Sequence, residues 1–240
     1  MIIGTILNAA GILLGGILGL TLRKALSPPR QAALKGLLGV LTVYVGLKLT
    51  WMSLGGGMGQ IARRLAIVLM ALILGRITGR LLHLQTFLNR LGQHARKSIN
   101  QASAGTPQRF ADGFITCALL YCSAPMALLG ALLDGLQGHW QTLGIKALID
   151  GLAMMSFVVI FGWGAILSLV PVVAYQGTLA LGAGWVAPWL GDHDLLDSLN
   201  ATGGLLVFCV ALIILELKKI ELTDYLPSLV FAPLITWLWR

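Results

Sequence analysis

Residues Thr142 to Gly164 read TLGIKALIDGLAMMSFVVIFGWG, a run apolar enough to enter a bilayer that nonetheless carries Lys146 and Asp150 near its start. Ionisable side chains inside a membrane segment are expensive, and they face a partner or a polar cavity. Four residues apart on a helix, Lys146 and Asp150 share one face and can neutralise each other. The pair reads either as the floor of a polar site or as an internal structural ion pair.

The rest of the chain is written in the same chemistry. Of its 240 residues 57% are hydrophobic and 11% charged, and the mean hydropathy is +0.86, more apolar surface than an ordinary soluble core can hide. The net charge of +8 comes in short basic clusters between apolar runs. That is the positive-inside signature of cytoplasmic loops, and no nucleic-acid motif competes with it. Cys117, Cys122 and Cys209 all fall inside expected spans, odd in number and without ligand spacing, so they read as packing residues. The four His are scattered, and neither a metal nor another cofactor is expected.

Spans are expected at residues 2–22, 33–52, 60–82, 114–133, 142–164, 165–185, 201–217 and 226–239, giving an all-α polytopic bundle of about seven or eight crossings. In the first, Gly4, Asn8, Gly11, Gly15 and Gly19 recur three or four apart, so another helix can approach closely and Asn8 adds an amide to the contact. The third is flanked by Arg63, Arg64, Arg76 and Arg80, which must snorkel. In the fourth, Ser123, Ala127, Gly130 and Asp134 share a face, and Pro125 breaks the helix. The sixth carries Pro171, Gln176 and Gly177, a second expected interruption. The stretch 190–200, with Asp192, Asp194 and Asp197, reads as an external loop leading to Asn200.

Residues 84–97 differ: Leu84, Phe87, Leu88, Leu91 and Ala95 alternate at helical spacing with Arg90, His94, Arg96 and Lys97. This is an amphipathic surface helix suited to anionic lipid. The chain therefore divides at 1–82, 83–112, 113–189 and 190–240: three spans, a cytoplasmic helix and loop, three more spans, and a C-terminal helix pair. Twelve basic residues fall on one side of this topology and five on the other, which puts both termini outside. An offset of 115 pairs Asn8 with Ser123, Ala9 with Ala124 and Gly15 with Gly130, and after a short gap Lys35 meets Lys146. Two units of three spans face opposite ways, so such a match implies an inverted repeat with a polar site near the midplane.

GTILNAAGILLGGILG at Gly4 to Gly19, the Cys122 to Asp134 run, KALIDG at Lys146 to Gly151, NATGG at Asn200 to Gly204 and the ELKKIELTDYLPSL tail together resemble the bacterial membrane family called domain of unknown function 554. The likeness covers nearly the whole chain, with Cys122-Ser123 standing where the family has Cys-Gly. It implies a multi-pass inner-membrane protein of unestablished biochemistry, in a family often labelled as transport proteins.

Two functions follow. One is a transporter or channel for a small solute or ion, its path lined by Asn8, Asp134, Lys146, Asp150, Gln176 and Asn200, with Gly11, Gly15, Gly19 and Gly130 packing the helices. The other is a membrane scaffold or regulator that forms homo-oligomers through the glycine face of the first span. An enzyme is not expected, since no HExxH, GxSxG or P-loop occurs.

Overall fold

The computed structural model describes residues 2–22, 27–87, 89–90, 93, 109–190 and 193–239. Among them is no strand; besides the helical residues 84–87, 89–90 and 93, the α-helices are α1 (Ile3–Leu22), α2 (Pro28–Ser53), α3 (Met58–Leu81), α4 (Arg109–Ser123), α5 (Pro125–Gln137), α6 (Gln141–Phe161), α7 (Leu169–Val186), α8 (His193–Ile214) and α9 (Ser228–Leu238). Short 3-10 segments at Trp163–Ser168, Ala187–Leu190 and Leu222–Tyr225 join some of them. Half of the expected amphipathic stretch 84–97, residues 88, 91, 92 and 94–97, lies outside the described residues, and the other half is helical.

By length and composition, α1, α2 from Ala32, α6, Trp163–Val186 and α8 from Asp194 are able to cross a membrane, and the bent α4–α5 pair makes a sixth crossing if it is one span. Two expected spans fall short of that standard for identifiable reasons. Helix α3 is 24 residues long but carries four arginines, and α9 has only 11 residues. Large apolar side chains such as Leu14, Tyr44, Ile73 and Trp185 stand exposed on the helices, the surface lipid would cover.

The chain folds as two compact units, neither a contiguous stretch: Met1–Leu38 with Leu88–Gly184, and Gly39–Phe87 with Trp185–Arg240. In the first unit α1 lies along α6 in the same direction, Gly4 on Leu143, Gly11 on Ala147, Gly15 on Gly151 and Gly19 on Met155 and Val158. A Cβ on Gly15 would stand 2.1 Å from the Gly151 carbonyl oxygen, so the two backbones touch. Ile12, Cys117, Tyr121, Met154, Val158, Phe161, Ala165 and Val172 form the apolar core beside this seam.

Between α4 and α5 the axis turns by 61°. Pro125 has no N–H to continue α4 and pushes Ala124 into an extended conformation (ψ 126°), so the break expected here is present. The second expected interruption is not. Pro171 lies just past the point where the 3-10 turn Trp163–Ser168 runs directly into α7, and Gly177 lies in unbroken helix. The chain breaks earlier, at Gly162, whose φ of 76° suits glycine and which feeds the 3-10 turn Trp163–Ser168.

In the second unit α2 and α8 run antiparallel, Gly46 packing on Gly204 and Phe208, and Gly39 on Leu215. Helices α3 and α9 are likewise antiparallel, with Gly75 on Ser228 and Gly79 meeting Asp224 just before α9. The expected loop 190–200 is instead helical from His193. Its acidic residues explain this: Asp194 Oδ1 and Asp197 Oδ2 accept from Arg64 at 2.9 and 3.0 Å, while the same guanidinium donates to the carbonyls of Ser53 and Gly55. Those four contacts tie the α2–α3 turn to the start of α8.

Candidate polar site

Helix α6 sets Lys146 and Asp150 one turn apart on the face that meets α1, and the two side chains form an ion pair with both residues buried. Gly11 and Gly15 of α1 bring its backbone against Ala147 and Gly151, which places Asn8 alongside the pair. Asn8 Nδ2 donates to Gln176 Oε1 of α7 at 3.2 Å. From α4, the Tyr121 hydroxyl donates to the Asp150 carbonyl at 3.2 Å, and Lys146 Nζ stands 5.5 Å from the centre of the Tyr121 ring. Asn8 and Gln176 are both 0% exposed, yet Asn8 Oδ1 and Gln176 Nε2 have no hydrogen-bond partner. One acceptor and one donor therefore stand unused beside a buried ion pair, a costly arrangement unless something visits them.

Four of the six path residues anticipated from sequence thus converge. Asp134 has a different setting: its Oδ2 accepts from the Gly4 N–H at 2.8 Å, so α5 supplies an anionic cap to the N-terminus of α1. Its Oδ1 is buried without a partner. Asn200 belongs to α8 in the second unit, and its Oδ1 is likewise unpaired. Of the packing glycines, Gly11, Gly15 and Gly19 lie in the α1–α6 seam, and Gly130 packs on Leu143 and Thr142. Tyr121 was missed by sequence reasoning, because no spacing links α4 to a lysine on α6.

The second unit holds a cavity of about 60 Å³ lined by Gln60, Arg63, Arg64, Ile67, Asp194, Ser198 and Thr236. Arg64 is saturated by its two carboxylates and two carbonyls, and Arg63 donates to the Trp239 carbonyl at 2.7 Å. The three cysteines are free. Among the described residues no group of three or more His, Cys, Asp or Glu is placed to hold a metal ion.

The family model described as Protein of unknown function (DUF554) matches residues 3–237. The chain is similar to the Uncharacterized membrane protein YdfK of Bacillus subtilis (strain 168), 25% identical over 232 residues that cover 97% of this chain and 94% of the relative. It is similar to the same degree to the Uncharacterized protein YqgA of Escherichia coli (strain K12), 25% identical over 246 residues, covering 100% and 98%. No solved structure matches it. Long apolar helices and a relative named as a membrane protein make this chain a membrane protein.

Proposed function

We propose that this chain, which belongs to the family Protein of unknown function (DUF554), moves a small solute or ion across the bacterial inner membrane, using the polar cluster on α1, α6 and α7. The observation that carries the reading is the buried Lys146–Asp150 pair with Asn8 alongside it and Gln176 bonded to Asn8, each of the two amides with a polar atom left over. A purely structural pair would be expected to have its neighbours satisfied, since partly satisfied buried networks destabilise. The inverted three-plus-three repeat and the external placement of both termini belong to the same proposal, supported by the sequence matches and the basic-residue count.

The scaffold reading loses its contact surface. Gly11 and Gly15 already touch α6 of the same chain, so a second copy could use that face only by displacing α6.

The test starts with a thermal-shift screen of purified protein against amines, amino acids and inorganic ions, because a ligand of the folded form raises its melting temperature. Each stabilising compound is then offered to proteoliposomes bearing the wild type or Asp150→Asn. Uptake by the wild type, abolished in a variant that still elutes and melts as a folded protein, is the expected result. Equal uptake by both proteins would remove the cluster from the path.

A further inference from the structure

We infer that the ion handled at this cluster is the proton, with Lys146 exchanging partners as Asp150 is loaded and unloaded. The inference rests on the transport reading and names its coupling ion.

Space is the first consideration. Lys146 is 2% exposed, Asn8 and Gln176 0%; beyond Asn8 α1 and α6 touch backbone to backbone at Gly11 and Gly15, and before it Gly4 packs on the Leu143 side chain. A solute larger than water would have to part the two helices, whereas a proton needs only a relay of hydrogen-bonding atoms. Charge is the second consideration. A metal cation drawn to Asp150 would meet the Lys146 ammonium already seated there. A proton neutralises the carboxylate by bonding to it and requires no room.

The third consideration is a place for Lys146 to go. When Asp150 gains a proton, its carboxylate becomes a carboxylic acid and the ion pair is lost, leaving the ammonium with its charge in a site of low dielectric. The Tyr121 ring already stands 5.5 Å from Nζ and offers its face to the cation, and Asn8 Oδ1 is a buried acceptor without a partner. Release of the proton restores the carboxylate and Lys146 returns to it. The ammonium keeps its three protons throughout, so one proton enters and one leaves. The titratable groups facing the pair are Tyr121 and Cys122 on α4, with Cys117 beside Tyr121 and Tyr175 of α7 beside Cys122; the carboxylate of α5, Asp134, is turned to the Gly4 N–H instead, and α1 contributes the amide of Asn8.

The decisive measurement is pH-difference infrared spectroscopy on the lipid-reconstituted protein with carbon-13 carboxyl-labelled aspartate. Between about pH 9 and pH 5, one buried aspartate should pass from carboxylate to carboxylic acid. Its band should vanish in Asp150→Asn and move in Asp150→Glu, which keeps a carboxyl group should the asparagine variant fail to fold. Tyr121→Leu removes the alternative seat for the ammonium and should weaken proton affinity at Asp150 by about tenfold, while Tyr121→Phe keeps it. A carboxylate at Asp150 that stays ionised throughout the range overturns the inference, even if a solute is still transported. A titrating Asp150 in a protein that moves neither a screened compound nor protons into proteoliposomes sinks the transport reading and leaves the exchange of partners by Lys146 standing.

Discussion

Replacing Gly15 by alanine should separate α1 from α6. The new Cβ would stand 2.1 Å from the Gly151 carbonyl oxygen and 2.6 Å from its carbon. Ordinary carbon-to-carbonyl contact is about 3.3 Å, so the helices must part by roughly an ångström. A gap of that size forfeits about a quarter to a half of each dispersion contact along the seam. Overpacking of this kind costs about 1–3 kcal/mol, against the gain of up to about 1 kcal/mol for alanine over glycine in a helix. The net loss should be about 1–2 kcal/mol. Gly182 of α7 supplies the internal control, because nothing lies within 4 Å of a Cβ placed there. Gly182→Ala should be neutral or stabilising. The assay is equilibrium unfolding of both variants in the same mixed micelles, by helix signal against denaturing detergent. Equal stability of the two would refute the parallel, backbone-contact packing of α1 on α6.

Losing one partner of the buried ion pair should hurt more than losing both. Lys146→Met or Asp150→Leu alone should destabilise by about 3–5 kcal/mol, and the double variant should recover most of that in a double-mutant cycle on unfolding midpoints. Asp134→Ala removes the anionic cap of α1 and should cost about 1.5–3 kcal/mol, with faster amide exchange at Gly4 as its local mark. His139, in the turn between α5 and α6, is held by burial below its ordinary pKa of 6.5. Above that pH the folded and unfolded chains are both neutral there and the residue adds no pH dependence. As pH falls below about 6.5 the unfolded chain binds the proton first, so the melting temperature should decline towards the lower folded value. His139→Gln should flatten that part of the profile.

Much of the first unit was readable because its signals are local. In α1 Gly4, Asn8, Gly11, Gly15 and Gly19 recur every three or four residues, the glycines lie on α6 as spaced, and Lys146 with Asp150 obeys the same helical arithmetic. The family read from GTILNAAG, KALIDG and NATGG is the one matched across residues 3–237. What depended on distant partners was hidden. Asn8 and Gln176 are 168 residues apart, and nothing in either sequence context announces the other. The start of α8 was misread because three aspartates in eleven residues suggest a loop, whereas two of them neutralise Arg64. Pro171 misled for the opposite reason: its effect depends on the helix start, which Gly162 sets several residues earlier.

The common direction of α1 and α6 fixes something about sidedness. If both traverse the bilayer, the chain linking Leu22 to Gln141 must pass through it an odd number of times. With α2 making one passage, α3 and the α4–α5 elbow share a fate: both traverse or neither does. In either case Gly56 and Gly138 emerge on one surface and Ser27 on the other, so labels there are uninformative. A label within residues 82–108 discriminates, joining Ser27 if the four arginines of α3 are carried across and Gly138 if they are not.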